Sequence, residues 1–525
     1  MDFLIKNAVI IDGSGAPAFS GDVALEGGKI AAMGSLENIQ AETVINVAGK
    51  TLTPGFIDMH SHSDVLFFNG SDVPHKVMQG VTTEVVGQDG ISLAPLTEFS
   101  KEAMTATLEP LAGRITTPLT ALSMDGLLRS IEEKKPQLNV LTLTGHANLR
   151  QAVMGPKMAR AETQDLDRMR DLLDETLRQG SYGLSMGLIY PPSSYSDTAE
   201  LISLAEVVAR HDGLIVSHMR DEQDHIFEAL DEMIEIGRQS GARIHISHLK
   251  CMGKNNWGKM PLVLERIETA RDNGVIISFD QYPYEASSTT LSLLLPPWAQ
   301  EGGFAGFEKA LAREGARSEI LIEIEKTIER RGGAESIRIA SAPAEEAAPA
   351  AGRSLAEVAK MWGVSPSEAA FRILHATRLG TTAIYHAMSL EDVERAMGHE
   401  LHTVGSDGVL VGDSPHPRAA GTFPRVIHHF RKNRGLFTLE AAIHDMTGKA
   451  AQVMKLPGRG LVRAGYHADL IVFDSDEFQD HATYDDPWRL PTGLEWVFIN
   501  GRPVVEEGEI QNVRSGRILR PNDPM

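Results

Sequence analysis

Apolar and polar positions alternate along residues 2–53, in FLIKNAVIID, GDVALEGGKIAAMG and TVINVAGKTL, with Gly-rich turns between them. A period of two is the pattern of strands with one buried face. The same texture returns near the other end, in HADLIVFD and EWVFINGRPVVEEG. Two such flanks predict a small β-sandwich built from both termini, over residues 1–54 and 455–525; two unrelated β caps are the alternative. Between them the pattern changes to short unbroken apolar runs, each followed by a helix-like stretch such as DLDRMRDLLDETLRQG or DHIFEALDEMIEIGRQSG. Alternation of that kind predicts βα units around a parallel sheet. Eight strands are predicted, at 55–60, 82–87, 139–145, 182–187, 214–219, 243–249, 275–280 and 401–406. The expected fold is therefore α/β: a TIM-like (β/α)8 barrel over 55–454 beside the terminal β unit. The gap between the seventh and eighth strands is too long for one βα unit. It holds SAPAEEAAPAAGRSLAEVA, a loop running into a helix, and residues 285–375 are expected to form an insertion or lid over the barrel mouth.

Composition narrows the function without naming it. The 525 residues carry 50 Lys and Arg against 71 Asp and Glu, a formal charge of −21. That balance disfavours nucleic acid and anionic membranes as partners, and it leaves a small-molecule substrate open. Cys251 is the only cysteine, so no intramolecular disulfide can form, and a buried structural role is expected for it. The opening MDFLIKNAVIIDGSG is too short an apolar run for a signal peptide, and no run of about 18 apolar residues occurs. A cytoplasmic location is expected; oligomeric state is not legible.

The candidate chemistry lies at strand ends. His60 and His62 flank Ser61 just past PGFID, and on extended backbone positions i and i+2 face the same side. With 19 histidines, about one His-x-His is expected by chance, so the pair needs context. That context exists: His218 ends LIVSH, His248 ends IHISH and Asp407 follows the last predicted strand in HTVGSDG. In a TIM barrel those ends converge on the face where active sites sit. The set predicts a divalent metal site, with Asp407 accepting a proton from water and returning it to a leaving nitrogen. Histidines with a carboxylate suit zinc, and other divalent metals compete for such ligands.

The segments TLTPGFIDMHSHSD, GVTTEVVGQDGISLAPL, TGHANLR, GLIYPPSSYS, SHMRDE, ISHLKCMGKNNWG, DQYPY and VGSDG closely resemble the D-aminoacylases, or N-acyl-D-amino-acid deacylases, of the amidohydrolase superfamily. The resemblance runs nearly from end to end. It implies hydrolysis of the amide of an N-acyl-D-amino acid to a carboxylate and a free D-amino acid, with one or two zinc ions. It implies that His60, His62, His218, His248 and Asp407 supply the metal site and base, and that Lys250, Tyr282, Ser288 and Arg378 gather the substrate carboxylate. Tyr190 and His146 fall in matched segments and are expected to line the pocket. Arg220 and Glu222 would orient ligands or form a rim ion pair.

One departure bears on the metals. The family carries Asn-Cys-Gly, its Cys a zinc ligand, where this chain has Gln88-Asp89-Gly90. Either Asp89 ligates in its place, loosening the preference for zinc over manganese or cobalt, or one metal sits on His60, His62 and Asp407 alone. A related activity on dipeptides with a C-terminal D-residue stays open. Cyclic amides fit less well, because enzymes for them use a Lys on the fourth strand and this one reads YGLSMG. A non-catalytic scaffold is disfavoured, since every expected imidazole is present.

Overall fold

The computed structural model describes residues 1–120, 122–521 and 523. Eight parallel strands stand where the apolar runs predict them: β1 (Phe56–Asp58), β2 (Val81–Val86), β3 (Asn139–Thr142, resuming as Thr144–Gly145), β4 (Gly183–Gly187), β5 (Leu214–His218), β6 (Arg243–Ile246), β7 (Ile277–Gln281) and β8 (His402–Val404). Each pairs with the next. The ring closes from β8 to β1: Met59 N donates to Val404 O at 3.2 Å and Asp407 N to His60 O at 2.8 Å. Every residue of β2, β4 and β5 is buried. Side chains fill the barrel inside and helices cover it outside, so these strands read as unbroken apolar runs. The covering helices are one-sided. Ile226–Ser240 buries Ile226, Leu230, Met233 and Ile236 on one stripe and turns its charges outward.

Between β7 and β8 the chain builds a three-stranded antiparallel sheet from Ser287–Thr290, Thr382–Tyr385 and Ile337–Ser341, with Thr382–Tyr385 in the centre. Helices Gly303–Leu311, Ala316–Arg330, Leu355–Trp362 and Pro366–Ala376 accompany it. The pairing thus reaches beyond residue 375. Ser354 caps Leu355–Trp362 with a reciprocal Ser–Glu357 box, which starts that helix sharply after the Ala/Glu/Pro-rich loop.

Both chain ends enter one nine-stranded sheet. Leu470–Phe473 pairs antiparallel with Thr51–Pro54 on one side and Leu494–Ile499 on the other. Its alternation is buried on both faces: Leu470 and Val472 pack with Ile5, Ile10 and Leu52, while Ile471 and Phe473 join Phe56 at the barrel. The last residues then leave this sheet. Ile518 bridges Val140 in parallel, and Leu519 N donates to Val140 O at 2.9 Å, laying the tail beside β3. Among the described residues no helix is long and apolar enough to cross a membrane.

Candidate metal centre

The tips of β1, β2, β5, β6 and β8 meet at one end of the barrel. His60 and His62 follow β1, and Asp58 at its end accepts from His60 N at 3.2 Å and from Ser406 N at 2.8 Å, so two strand tips share one clasp. Asp89 sits in the turn after β2 between Gly87 and Gly90, both at positive φ. A Cβ on Gly87 would lie 2.4 Å from Leu143 O and one on Gly90 2.6 Å from Gly187 N, so the turn fits between neighbouring tips only without side chains there. Asp89 (φ 54°), His248 (φ 35°) and Asp407 (φ 50°) are themselves left-handed. Each such residue costs on the order of 1–3 kcal/mol, a strain that clusters at functional sites.

The donors form two groups that share Asp89. Ligand atoms of His60, His62, Asp89 and Asp407 all lie within 4.8 Å of one another, and so do those of Asp89, His218 and His248. Asp89 Oδ1 stands 3.6 Å from His60 Nε2, 3.7 Å from His218 Nδ1 and 3.6 Å from His248 Nε2, while Oδ2 stands 3.7 Å from His62 Nε2. All six residues are buried. Both ring nitrogens of His60 and of His218, with Asp89 Oδ1, lack any hydrogen-bond partner. Buried imidazole nitrogens left without partners are costly unless something is bound there, and this donor set suits a divalent cation. The residues present fit a metal at either group.

Charge around the donors is arranged by a surrounding ring. Asp280 Oδ1 accepts from His248 N at 2.9 Å, Oδ2 faces His245 Nε2 at 3.0 Å, and His60 Nδ1 lies 3.8 Å away. Glu222 sits 3.1 Å from His248 Nδ1 and 3.6 Å from His218 Nε2. Carboxylates at the back of ligand histidines fix ring orientation and tautomer. Burial works to raise the Asp89 carboxyl, but the facing His60, His218 and His248 outweigh it and hold it well below the ordinary range. Burial likewise opposes Asp407, and Arg418 with His62 overcomes it. Both carboxylates are thus ionised at neutral pH.

Of the residues expected around substrate, Lys250, Ser288 and Tyr190 line the cleft with Asp89, His218 and Asp407. Tyr190 OH and Thr289 Oγ1 are 2.7 Å apart, tying the loop after β4 to the inserted sheet. Lys250 is less free than its place suggests: Nζ donates to Glu222 at 2.7 Å and to His248 Nδ1 at 2.6 Å. Tyr282 lies behind the cleft, fully buried, its ring beneath Arg418.

Two expectations need correction, those for Arg378 and His146. Arg378 does not reach the cleft: it is exposed and stacks on Phe304, 4.4 Å from the ring centroid, because the chain turns left-handed there after Pro366–Ala376. Of the two alternatives for Arg220, the structure shows the ion pair: it holds Glu232 and also donates to Ser194 O and Ser196 O. His146 is spent in the wall, with Nδ1 3.0 Å from Ser193 Oγ and Nε2 2.9 Å from Glu200. Arg150 completes that buried cluster by donating to Glu200 at 2.5 Å. Burial would raise the Glu200 carboxyl, but His146 and Arg150 bring it down from 4.5 to about 2. Its stabilisation is therefore present above pH 4.5 and fades as pH falls toward 2. Glu200→Gln should cost about 2–3 kcal/mol at neutral pH, with the gap to wild type narrowing below pH 4.5; urea unfolding of both proteins across that range measures it.

Sequence reasoning missed Arg418, Asp280 and a buried network beneath the ligands. Arg418 is fully buried, with Nη1 2.8 Å from Asp407 Oδ2 and Nη2 donating to Ser288 O at 3.0 Å. Under the floor Lys76, also fully buried, donates to Asp58 at 2.5 Å, Ser406 Oγ at 2.8 Å and Ser61 Oγ at 3.2 Å, and pairs with Glu84 at 3.1 Å. Cys251 is buried, and burial pushes its thiol up to about 12, as a structural role requires.

Comparison with known proteins agrees with this geometry. A model of the amidohydrolase family matches residues 43–505. N-acyl-D-glutamate deacylase of Alcaligenes xylosoxydans xylosoxydans is 37% identical over 528 residues, covering 99% of this chain and 96% of that protein. D-aminoacylase of the same organism is 35% identical, covering 99% and 97%. The crystal structure of N-acyl-D-glutamate deacylase from Bordetella bronchiseptica, complexed with zinc and a phosphonate mimic of the tetrahedral intermediate, superposes with a TM-score of 0.85 at 35% identity over 99% of both chains. Likeness of that extent makes this chain a member of the amidohydrolase family, in its branch of D-aminoacylases and N-acyl-D-amino-acid deacylases.

Proposed function

We propose that the protein hydrolyses the amide bond of N-acyl-D-amino acids with a divalent metal, zinc first among the candidates, held by the two groups that share Asp89. The observation that carries this reading is the buried, unpartnered donor set of His60, His218 and Asp89 beside an ionised Asp407. When bound, the cation polarises the substrate carbonyl and acidifies water. Asp407 takes the proton of the attacking water as the new C–O bond forms, then delivers it to the nitrogen as the C–N bond breaks. Arg418 and His62 keep Asp407 in its base form and aim it. Lys250 holds Glu222, and Glu222 orients the rings of His218 and His248, so Lys250 acts through the ligands. A cytoplasmic location goes with this reading, since a single buried cysteine needs no oxidising compartment.

The test is turnover of paired N-acetyl-D- and N-acetyl-L-amino acids by zinc-loaded enzyme; activity confined to the L series refutes the assignment. Asp89 provides a second check. Its two oxygens reach toward both donor groups, so Asp89→Ala should lower bound divalent metal per chain and weaken zinc affinity at least about tenfold. Metal analysis after dialysis against graded zinc measures this, and unchanged stoichiometry with unchanged affinity would show that Asp89 is no ligand.

A further inference from the structure

His245, the first histidine of IHISH, belongs to neither donor group and does not line the cleft. It lies on β6 between Ile244 and Ile246, which join Met233, Ile236 and Val263 of the covering helices in one apolar cluster. On a strand its side chain therefore points the other way, into the barrel. Its partners in register are Val216 on β5 and Ser278 on β7. Val216 is part of an apolar filling with Ile57, Val85, Leu141 and Leu143. A fully buried imidazole is costly in such a place unless both nitrogens are bonded, and here both are. Nε2 donates to Asp280 Oδ2 at 3.0 Å, since a carboxylate only accepts, and Nδ1 lies 2.8 Å from Ser278 Oγ.

Asp280 is the hub that this bond holds. Its Oδ1 accepts from His248 N at 2.9 Å and its backbone O accepts from Leu249 N at 2.9 Å, which brackets the left-handed turn at His248 (φ 35°). Its Oδ2 faces two rings, His245 Nε2 at 3.0 Å and His60 Nδ1 at 3.8 Å. Gly405 crowds the same spot: a Cβ there would lie 2.7 Å from Asp280 Oδ1 and 2.7 Å from His60 Cβ. The freedom left to the carboxylate is rotation of Oδ2 toward His60, which would take Oδ1 off His248 N. The bond from His245 closes that freedom. We propose that His245 is a positioning residue of the metal centre: by holding Asp280 Oδ2 it fixes the carboxylate that sets the ring of His60 in one donor group and the backbone of His248 in the other. This rests on the metal reading of those groups and adds a layer behind it. A histidine serving packing alone needs some partner for each nitrogen; this role needs the bond at Nε2.

Two substitutions separate the ring nitrogens. In His245→Gln the amide nitrogen falls near the Nε2 position and can donate to Asp280. In His245→Asn the shorter amide falls near Nδ1, meets Ser278 and leaves Asp280 unheld. Each variant keeps one of the two hydrogen bonds, so urea unfolding should show similar losses of stability. Zinc affinity, measured by competition with a chelator, should stay within about threefold of wild type in His245→Gln and weaken at least about tenfold in His245→Asn. In cobalt-loaded protein the visible absorption of His245→Gln should match wild type, and that of His245→Asn should be shifted. Turnover of N-acetyl-D-amino acids should divide likewise, His245→Asn lowering kcat about tenfold while KM changes by less than about threefold. Wild-type zinc affinity in His245→Asn overturns the proposal, and so do equal affinity losses in both variants, which would mark a packing role. If His245→Asn does not fold, His245→Met, which fills the volume of the ring and offers Asp280 no donor, takes its place on the same criteria. A wild type that binds no zinc overturns the metal reading and this role together. One that binds zinc without releasing a D-amino acid overturns the deacylase reading alone, and the zinc and cobalt measurements still decide His245.

Discussion

Asp407→Asn is expected to lower kcat at least about 10²-fold with zinc still bound. The carboxylate stands at the crossing of every relevant contact: Oδ1 lies 3.1 Å from His62 Nε2 and 3.8 Å from His60 Nε2, and Oδ2 lies 2.8 Å from Arg418 and 4.0 Å from His248. Asparagine keeps the shape and one oxygen, so the histidines retain their places and their metal. It cannot take a proton from water, and it leaves the fully buried Arg418 without its counter-charge. The variant separates base from ligand because rate and metal content are read independently, the first by steady-state turnover and the second by elemental analysis. A rate within a few-fold of wild type would assign the base to another group. Loss of rate together with loss of metal would make Asp407 chiefly a ligand.

Lys76→Met is expected to be the most destabilising single change in the barrel, at about 3–5 kcal/mol. Lys76 serves two buried carboxylates and two hydroxyls at once, and Met fills its volume without its charge. Burial raises the Glu84 carboxyl and Lys76 works against that rise, so removing the ammonium sends it higher still. A group raised in the folded state is favoured at low pH, so the deficit should shrink as pH falls. Asp58, freed from Lys76, is also the clasp on His60 N and Ser406 N, and loosening it should reduce kcat more than it raises KM. Adding Glu84→Gln removes one of the stranded charges and should restore part of the stability. Chemical unfolding at pH 7.5 and 6 together with kinetics tests both effects. A variant as stable and as fast as wild type would show that the network neither supports the fold nor aligns the site.

The barrel was readable because parallel strands buried on both faces leave a continuous apolar trace, as in LIVSH and GLSMG. Chemistry was readable where a polar residue interrupts such a trace at its end: His218 and His248 close their runs, and His60, Asp89 and Asp407 follow theirs within a few residues. What escaped has a common physical origin. Lys76 lies in the four-residue helix Pro74–Val77, and a lone lysine there reads as surface until the fold wraps two carboxylates around it. Arg418 opens helix Arg418–Arg425, beyond the last strand, where no periodicity says which way it points. Arg378 stands two residues past helix Pro366–Ala376, where the turn and not the helical period decides whether it faces in or out. Motif resemblance placed Arg378 in the cleft; the left-handed turn carries it to Phe304.

The pairing of Thr51–Pro54 with Leu470–Phe473 has a consequence for how the protein is made. During synthesis the amino-terminal strands and most of the barrel emerge well before their partner, so Thr51–Pro54 waits as an open edge on the ribosome. Open edges recruit other chains, and contacts so distant along the polypeptide form slowly. Yield of the newborn enzyme should therefore depend on how fast its final stretch is translated and on chaperones that shield that edge until then.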